Sequence, residues 1–390
     1  VKREVPFTFI SDSIALNQFA HQHSRIKELA IDTEFMGEKR YKPLICLIQV
    51  SSELGNFIID TLAINDLNPF LRIISDPGIT KITHAGENDY RGFFQNYGIL
   101  PKNIFDTQIA YAFLDYKYPI SFKKLVEAEC SYRLDKSLTV TQWDQRPLRK
   151  DQLQYALDDV LPLPSLKEKL TANLTLKGRL PWAEEEFSLL EQESLYFKGV
   201  ESDILSQPLI HTFNASEKLF FLRLMLWRDH LAKEKNINRD MVIPSKFIQQ
   251  LVKGARHGQS FFKDNRRFSL NLSSSYWKQI AIMVSEPVQD WEQKLLASVT
   301  RENDLVEDAF EEAITDLVYS SIKYFCIARD LSVSIAFPKS RLRHIHQHPE
   351  EVGTVIKGWR ASFFGEEIAN LLSRMKALEV VYGDKKIIIQ

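Results

Sequence analysis

"LAIDTEFMGEKRYKPLICLIQV", residues 29–50, opens as a buried strand and then sets Asp32 and Glu34 where a core would hold valines. Strand side chains alternate between faces, so Asp32 and Glu34 emerge together while Thr33 points the other way. Such a pair is either a hydrated strand end or a pair of ligands, and a lone Asp-x-Glu is adequately explained by hydration. The next apolar runs, "PLICLIQV" and "NFIID", follow after links of only a few polar or glycine-containing residues. Links this short suit antiparallel neighbours.

Further along, "ITKITH" reads as a strand, "ENDYRGFFQNY" as a helix, and "IFD" as a strand running into the helical "TQIAYAFL". Alternation of this kind predicts an α/β layer, a mixed sheet covered by helices. From "RKDQLQYALDDVLPLPSLKEKL" (149–170) onward nearly everything reads helical. Connections near "LKGRLPWAEEE" (176–186) and "SQPLIHTFNASEK" (206–218) put the main domain boundary between them.

A chain of 390 residues, 44% hydrophobic, 26% charged and with 25 Phe, describes a globular protein long enough for two or three domains. Cys46, Cys130 and Cys326 are odd in number and far apart, so neither a disulfide framework nor a zinc site is suggested, and a reducing cytosol is expected. No apolar run approaches the ~20 residues of a membrane span, and "VKREVPFTFI" lacks the long apolar segment of a secretion signal. A cytoplasmic protein with no membrane contact and no obligate protein partner is therefore expected. The net charge of −1 excludes a globally basic chain but not a local patch. "KGARHGQSFFKDNRRF" (253–268) is such a patch, with Lys253, Arg256, Arg266 and Arg267 among interleaved aromatics.

Two further acidic positions complete the pattern. "HAGENDYRGFF" places Asp89, beside Glu87 and Asn88, at a strand-to-helix junction, where an acid is also an ordinary helix cap. "YALDDV" places Tyr155 and Asp159 four residues apart on one helix face, with Asp158 as a competitor three residues from Tyr155.

Taken together, "DTEF", "YKPLICLIQV", "THAGENDYRGFF", "FDTQIAYAF", "LDKS", "QWDQRPL" and "QYALDDV" resemble the motifs of the DEDD exonuclease superfamily, in its tyrosine-containing branch. The closest resemblance is to the bacterial ribonuclease D family, and it covers residues 7 to about 185. It implies a ribonuclease H-like exonuclease domain over 1–190. Asp32 and Glu34 match the first motif, Asp89 the second, and Tyr155 with Asp159 the third, although Asn88 stands where relatives often carry an acid.

By this resemblance, Asp32, Glu34, Asp89 and Asp159 are metal ligands, and with Tyr155 they are the catalytic set. Carboxylates crowded into one cleft repel one another unless cations balance them. The family implies two divalent ions, Mg²⁺ or Mn²⁺, matched to hard oxygen donors. Asp32 would bridge them, Glu34 and Asp159 would complete one site, Asp89 would support the other, and Tyr155 would orient the attacking water.

Several neighbours have weaker claims. His84 could touch substrate but more simply hydrogen-bonds at a turn. Trp143 and Arg146 could stack on a base and hold phosphate, with packing and helix entry as the ordinary explanation. Lys136 could meet a phosphate, with solvent exposure as the ordinary explanation; Phe35 could wedge a terminal base and Gln49 could order the strand, with a place in the core as the alternative for both.

In the second half, "LRLMLWRDHLAKEKN" followed by "VIPSKFIQQLVKGA" resembles the HRDC module, the helicase and ribonuclease D C-terminal domain. "PEEVGTVIKGWRASFFGEEIANLL" resembles the C-terminal end of ribonuclease D, with Gly358, Trp359 and Arg360 at its centre. All-α HRDC-like domains are thus implied over 210–285 and 286–390, forming a clamp beside the cleft. The expected activity is 3′-5′ trimming of RNA with a single-stranded 3′ end, tRNA precursors in particular, releasing nucleoside 5′-monophosphates. A DNA exonuclease of the same superfamily and a non-catalytic RNA-binding protein are the alternatives.

Overall fold

The computed structural model describes residues 5–130, 141–197, 199–263, 272–299, 309–375, 378, 380–383 and 386–389. They fall into two compact units, one built from 1–35, 45–193 and 307–390, the other from 36–44 and 194–306.

The first unit is laid on a six-stranded sheet. In chain order its elements are β1 (Thr8–Ile10), α1 (Ser13–His23), β2 (Glu28–Met36), β3 (Leu44–Ser52), β4 (Gly55–Asp60), α2 (Asn68–Ser75), β5 (Thr80–Thr83), α3 (Glu87–Tyr97), β6 (Ile104–Asp106), α4 (Thr107–Ala112), α5 (Phe122–Cys130), α6 (Lys150–Asp158), α7 (Leu163–Leu176) and α8 (Leu180–Leu189). The strand order is β1-β4-β3-β2-β5-β6. β3 and β4 pair antiparallel, whereas β1–β4, β2–β5 and β5–β6 are parallel, so the sheet is mixed as the link lengths predict.

β3 is buried from Cys46 through Val50, which explains why "ICLIQV" is a continuous apolar run rather than an alternating one: helices cover both sheet faces. On one face Leu29, Ile31, Ile48, Val50 and Ile59 pack with Leu16 and Phe19 of α1, Phe70 of α2 and Phe93 of α3. On the other, Ala30 and Ile82 pack with Leu163, Leu166 and Leu170 of α7 and with Val318, Phe337 and Trp359 from the C-terminal helices.

The "GWR" triplet has a defined job in that second layer. Gly358 takes a φ of +56°, and a Cβ there would sit 2.0 Å from Glu185 Oε1. The turn lets Trp359 N–H donate to Glu185 (2.9 Å) and Trp359 Nε1 donate to Glu186 (2.7 Å) on α8. Buried Arg360 donates to the same Glu186 (2.7 Å) and to the carbonyls of Ala336 and Ile335. Gly358→Ala is expected to cost about 2–3 kcal/mol in urea unfolding, through backbone strain and loss of the Glu185 contact. Gly353→Ala, where an added Cβ meets nothing within 4 Å, is the control and should leave the midpoint unchanged or raised.

The second unit is helical and centres on the helix Ala215–Lys235. Asn214 opens it with a capping box closed by Glu217, and left-handed Asn236 ends it. Phe220, Phe221, Leu222 and Leu224 are all buried, so this helix is apolar around most of its girth. Its buried arginines are fully engaged. Arg223 makes a bidentate pair with Glu292 (2.6 Å each) and donates to the carbonyls of Met283, Glu286 and Pro287. Asp229, one turn past the middle of the helix, receives Tyr41 Oη (3.0 Å) and Arg239 Nε (2.6 Å). Pro244 introduces the turn Ser245–Phe247 and the helix Ile248–Gly254, where the sequence marks a second helical start.

Among the described residues, no helix is long and apolar enough to cross a membrane. A two-stranded antiparallel ribbon, Val380–Gly383 with Lys386–Ile389, follows the last helix.

Candidate active site

Three parts of the first unit deliver the acidic residues. β2 presents Asp32 and Glu34 on the face shared by Ala30, which belongs to the core layer under α7. The β5–α3 junction delivers Asp89. The C-terminal end of α6 delivers Tyr155 and, at its cap, Asp159.

The junction before Asp89 depends on an unusual backbone. Ala85 has a φ of +56°. Gly86 then donates its N–H to Asp106 Oδ2 (2.9 Å), and a Cβ on Gly86 would fall 2.7 Å from Tyr90 Oη and 2.8 Å from Thr83 Oγ1. Only glycine lets α3 begin there. Asp106 also caps α4 by accepting from the N–H groups of Gln108 (2.9 Å) and Ile109 (3.1 Å), so one buried carboxylate anchors two helix starts.

Carboxylate oxygens of Asp32, Glu34 and Asp159 lie within 4.8 Å of one another. Asp89 is close enough for its charge to act on Asp32, and the Thr33 hydroxyl donates a short hydrogen bond to it. Thr33 is thus a positioning residue: it points away from Asp32 and Glu34, as the strand pattern requires, and reaches Asp89 from the other side. Nothing in the sequence signals that contact. Tyr155 hydrogen-bonds Asp159 and feels the charges of Asp159, Glu34 and Asp32.

The five residues singled out in the sequence therefore converge, and their competitors turn elsewhere. Exposed Glu87 pairs with Arg91 one turn along α3 (2.7 Å), and Asp158 accepts from Gln154 Nε2 (2.8 Å).

Crowding sets the electrostatics. Burial raises the Asp89 carboxyl to about 6, partly offset by the Thr33 hydrogen bond. Burial, then the charges of Asp89, Asp159 and Glu34, hold Asp32 well above the ordinary carboxylate value. Burial and the neighbouring carboxylates also raise the Tyr155 phenol, which stays protonated and serves as a hydrogen-bond donor. Asp159 sits at the C-terminal cap of α6, where the helix dipole disfavours a negative charge. A cluster of hard oxygens this costly to ionise is the donor set a divalent cation requires.

The surrounding residues have structural partners. His84 contacts Thr107 Oγ1 (3.0 Å) and the Ile120 carbonyl (3.2 Å) and packs its ring on Phe122. Arg146 forms a bidentate pair with Asp60 (2.7 and 2.6 Å) and donates to the carbonyls of Trp143, Gln145 and Cys46, so it ties α6's entry to β3 and β4. Trp143 is 4% exposed, with its ring tilted over that of Tyr155 at 6.2 Å. Gln49 is buried on β3, while Phe35 is 40% exposed next to Glu34. Lys136, Arg266 and Arg267 lie outside the described residues; Lys253 and Arg256 are exposed.

Residues 7–175 match the family model described as 3′-5′ exonuclease. Over 379 residues the chain is 29% identical to ribonuclease D of Zymomonas mobilis, covering 96% of each protein. It is 28% identical to ribonuclease D of Escherichia coli over 389 residues, covering 94% of this chain and 98% of that one. The fold is that of the crystal structure of Escherichia coli RNase D, an exoribonuclease involved in structured RNA processing. The two superpose with a TM-score of 0.81 at 24% identity, over 95% of this chain and 99% of the other.

Proposed function

We propose that this chain, a 3′-5′ exoribonuclease of the ribonuclease D kind, removes single nucleotides from RNA 3′ ends as nucleoside 5′-monophosphates, with Asp32, Glu34, Asp89, Tyr155 and Asp159 as its catalytic set. The observation that carries this reading is the approach of the Asp32, Glu34 and Asp159 oxygens to within 4.8 Å of one another, beside Asp89 and a protonated Tyr155. A protein that merely bound RNA would gain nothing from an acidic cluster facing a polyanion.

The Asp32, Glu34 and Asp159 oxygens suit a divalent cation; two Mg²⁺ or Mn²⁺ ions would be held, one by these three residues and the other by Asp32 and Asp89. When bound, they supply charge neutralisation at the attacking and departing oxygens of the terminal phosphodiester. Tyr155, whose phenol O–H donates to Asp159, accepts through its oxygen from the water that attacks phosphorus and so orients it; the P–O3′ bond breaks, leaving a 3′-hydroxyl on the shortened strand. Thr33 keeps Asp89 aimed into the cluster. The 210–285 and 286–390 segments, read as HRDC-like, are assigned to RNA contact and support of the nuclease. Precursor tRNA trailers in the cytoplasm are the proposed substrates.

RNA and DNA oligonucleotides of one sequence, incubated with Mg²⁺ or Mn²⁺ and resolved by length, test the reading. The expected result is a one-nucleotide ladder from the RNA 3′ end, with 5′-monophosphates released and no turnover in chelator. Faster trimming of DNA would favour the DNA exonuclease alternative. Internal cuts or 3′-phosphate products would overturn the scheme.

A further inference from the structure

From a second cluster of side chains in the first unit, unrelated to the acidic cleft, we infer a zinc-class divalent metal site made by His348, Glu350 and Glu351, with His344 holding Glu351 from beside it. The stretch "HIHQHPEE" ends the helix Lys339–Gln347 and enters the turn Pro349–Glu351. His344 and His348 are four residues apart, and the helical backbone bond from His348 N–H to the His344 carbonyl (2.9 Å) keeps them on one face. Their ring centroids lie 5.0 Å apart. The turn then brings both glutamates back: Glu351 Oε2 is 2.8 Å from His344 Nε2, and Glu350 Oε1 is 3.5 Å from His348 Nδ1. Ligand atoms of His348, Glu350 and Glu351 all lie within 4.8 Å of one another.

Two separate His–Glu hydrogen bonds would satisfy each pair locally. They would not require adjacent glutamates, of like charge, to approach the same imidazole. A cation at the common point resolves that repulsion. One imidazole nitrogen and two carboxylate oxygens are three protein donors of a Zn²⁺ site whose fourth position would fall to water, a set softer than Mg²⁺ prefers.

The frame is preorganised. Leu342 and Ile345 before the cluster and Val352 after it are buried, and the Thr354 hydroxyl donates to the Glu351 carbonyl (2.7 Å). His346, on the opposite face of the helix, is buried and is not part of the set. A metal on these donors would join a helix end to the following turn.

The test is equilibrium dialysis of the full chain against Zn²⁺ in excess Mg²⁺, with bound zinc counted by atomic emission. Native protein and Asp32→Asn should both retain a zinc ion that His348→Ala loses and that His344→Ala, which removes the partner of Glu351, holds about tenfold more weakly. Zinc should also raise the melting temperature of native protein but not of His348→Ala. Glu351→Gln, which keeps the side-chain shape, should weaken binding in the same direction and guards against a folding defect. Equal zinc retention by native protein and the folded histidine variants, or no zinc on native protein, overturns the inference.

Discussion

Asp32→Asn is expected to reduce RNA trimming by about a thousandfold or more, and at the same time to raise the melting temperature of the metal-free protein. Loss of activity follows from Asp32's central place: it faces Glu34, Asp89 and Asp159 together. The gain in stability follows from the sign of its titration. Its carboxyl is held above the ordinary value by burial first and by the three neighbouring charges next. A carboxylate raised in the native state binds more protons there than in the unfolded chain. The stability linked to it is complete below about pH 4 and is lost as pH rises through the native value. Asp89 behaves alike over the window from 3.8 to about 6. The amide introduced in Asp32→Asn cannot ionise, so the variant escapes its share of that loss, and its advantage over the native protein should widen as pH climbs from the ordinary carboxylate value toward the raised native one. Divalent ions should reverse the order by stabilising only the native protein. Undiminished trimming by purified variant, or a lower metal-free melting temperature at neutral pH, would sink this account of the cluster.

Glu292→Ala is expected to destabilise the helical unit by about 3–5 kcal/mol, because it leaves Arg223 charged and buried without its carboxylate. The two side chains are 7% and 3% exposed, and their bidentate contact sits beside three carbonyl acceptors. The Arg223 hydrogen bonds hold the Glu292 carboxyl below its usual range. Its stabilisation is therefore present above the ordinary carboxylate value and is lost as pH falls through the depressed one. Hydrogen exchange in the helix Ala215–Lys235 is the measurement, with protection expected to drop by two orders of magnitude or more at about 1.4 kcal/mol per decade. Replacing both residues by apolar ones of similar volume should cost far less, since no unpaired charge remains. Wild-type protection in Glu292→Ala would show that Arg223's carbonyl partners suffice alone.

Much of the first unit was legible because local patterns carried it. "LAIDTEF" opens apolar and turns acidic at Asp32 and Glu34, whereas "ICLIQV" stays apolar but for Gln49, and both read as strands from their own residues. Tyr155 and Asp159 share a helix face by spacing alone. The ordinary explanation of Arg146, packing rather than phosphate binding, is the one its bidentate contact with Asp60 supports, but the 86 residues between them hide the pairing from any local pattern. Phe35 and Gln49 could not be told apart on the page: one stands 40% exposed beside Glu34, the other is fully buried.

Alone, the sequence determined the element types, the mixed sheet and the acidic positions worth watching, because periodicity, caps and spacing act over one or two turns of chain. Tertiary structure decided which distant groups meet: Thr33 with Asp89, Glu186 with Trp359 and Arg360, Arg223 with Glu292. Those contacts arise from packing between elements whose separation along the chain carries no energetic trace in either segment, so only the folded arrangement reveals them.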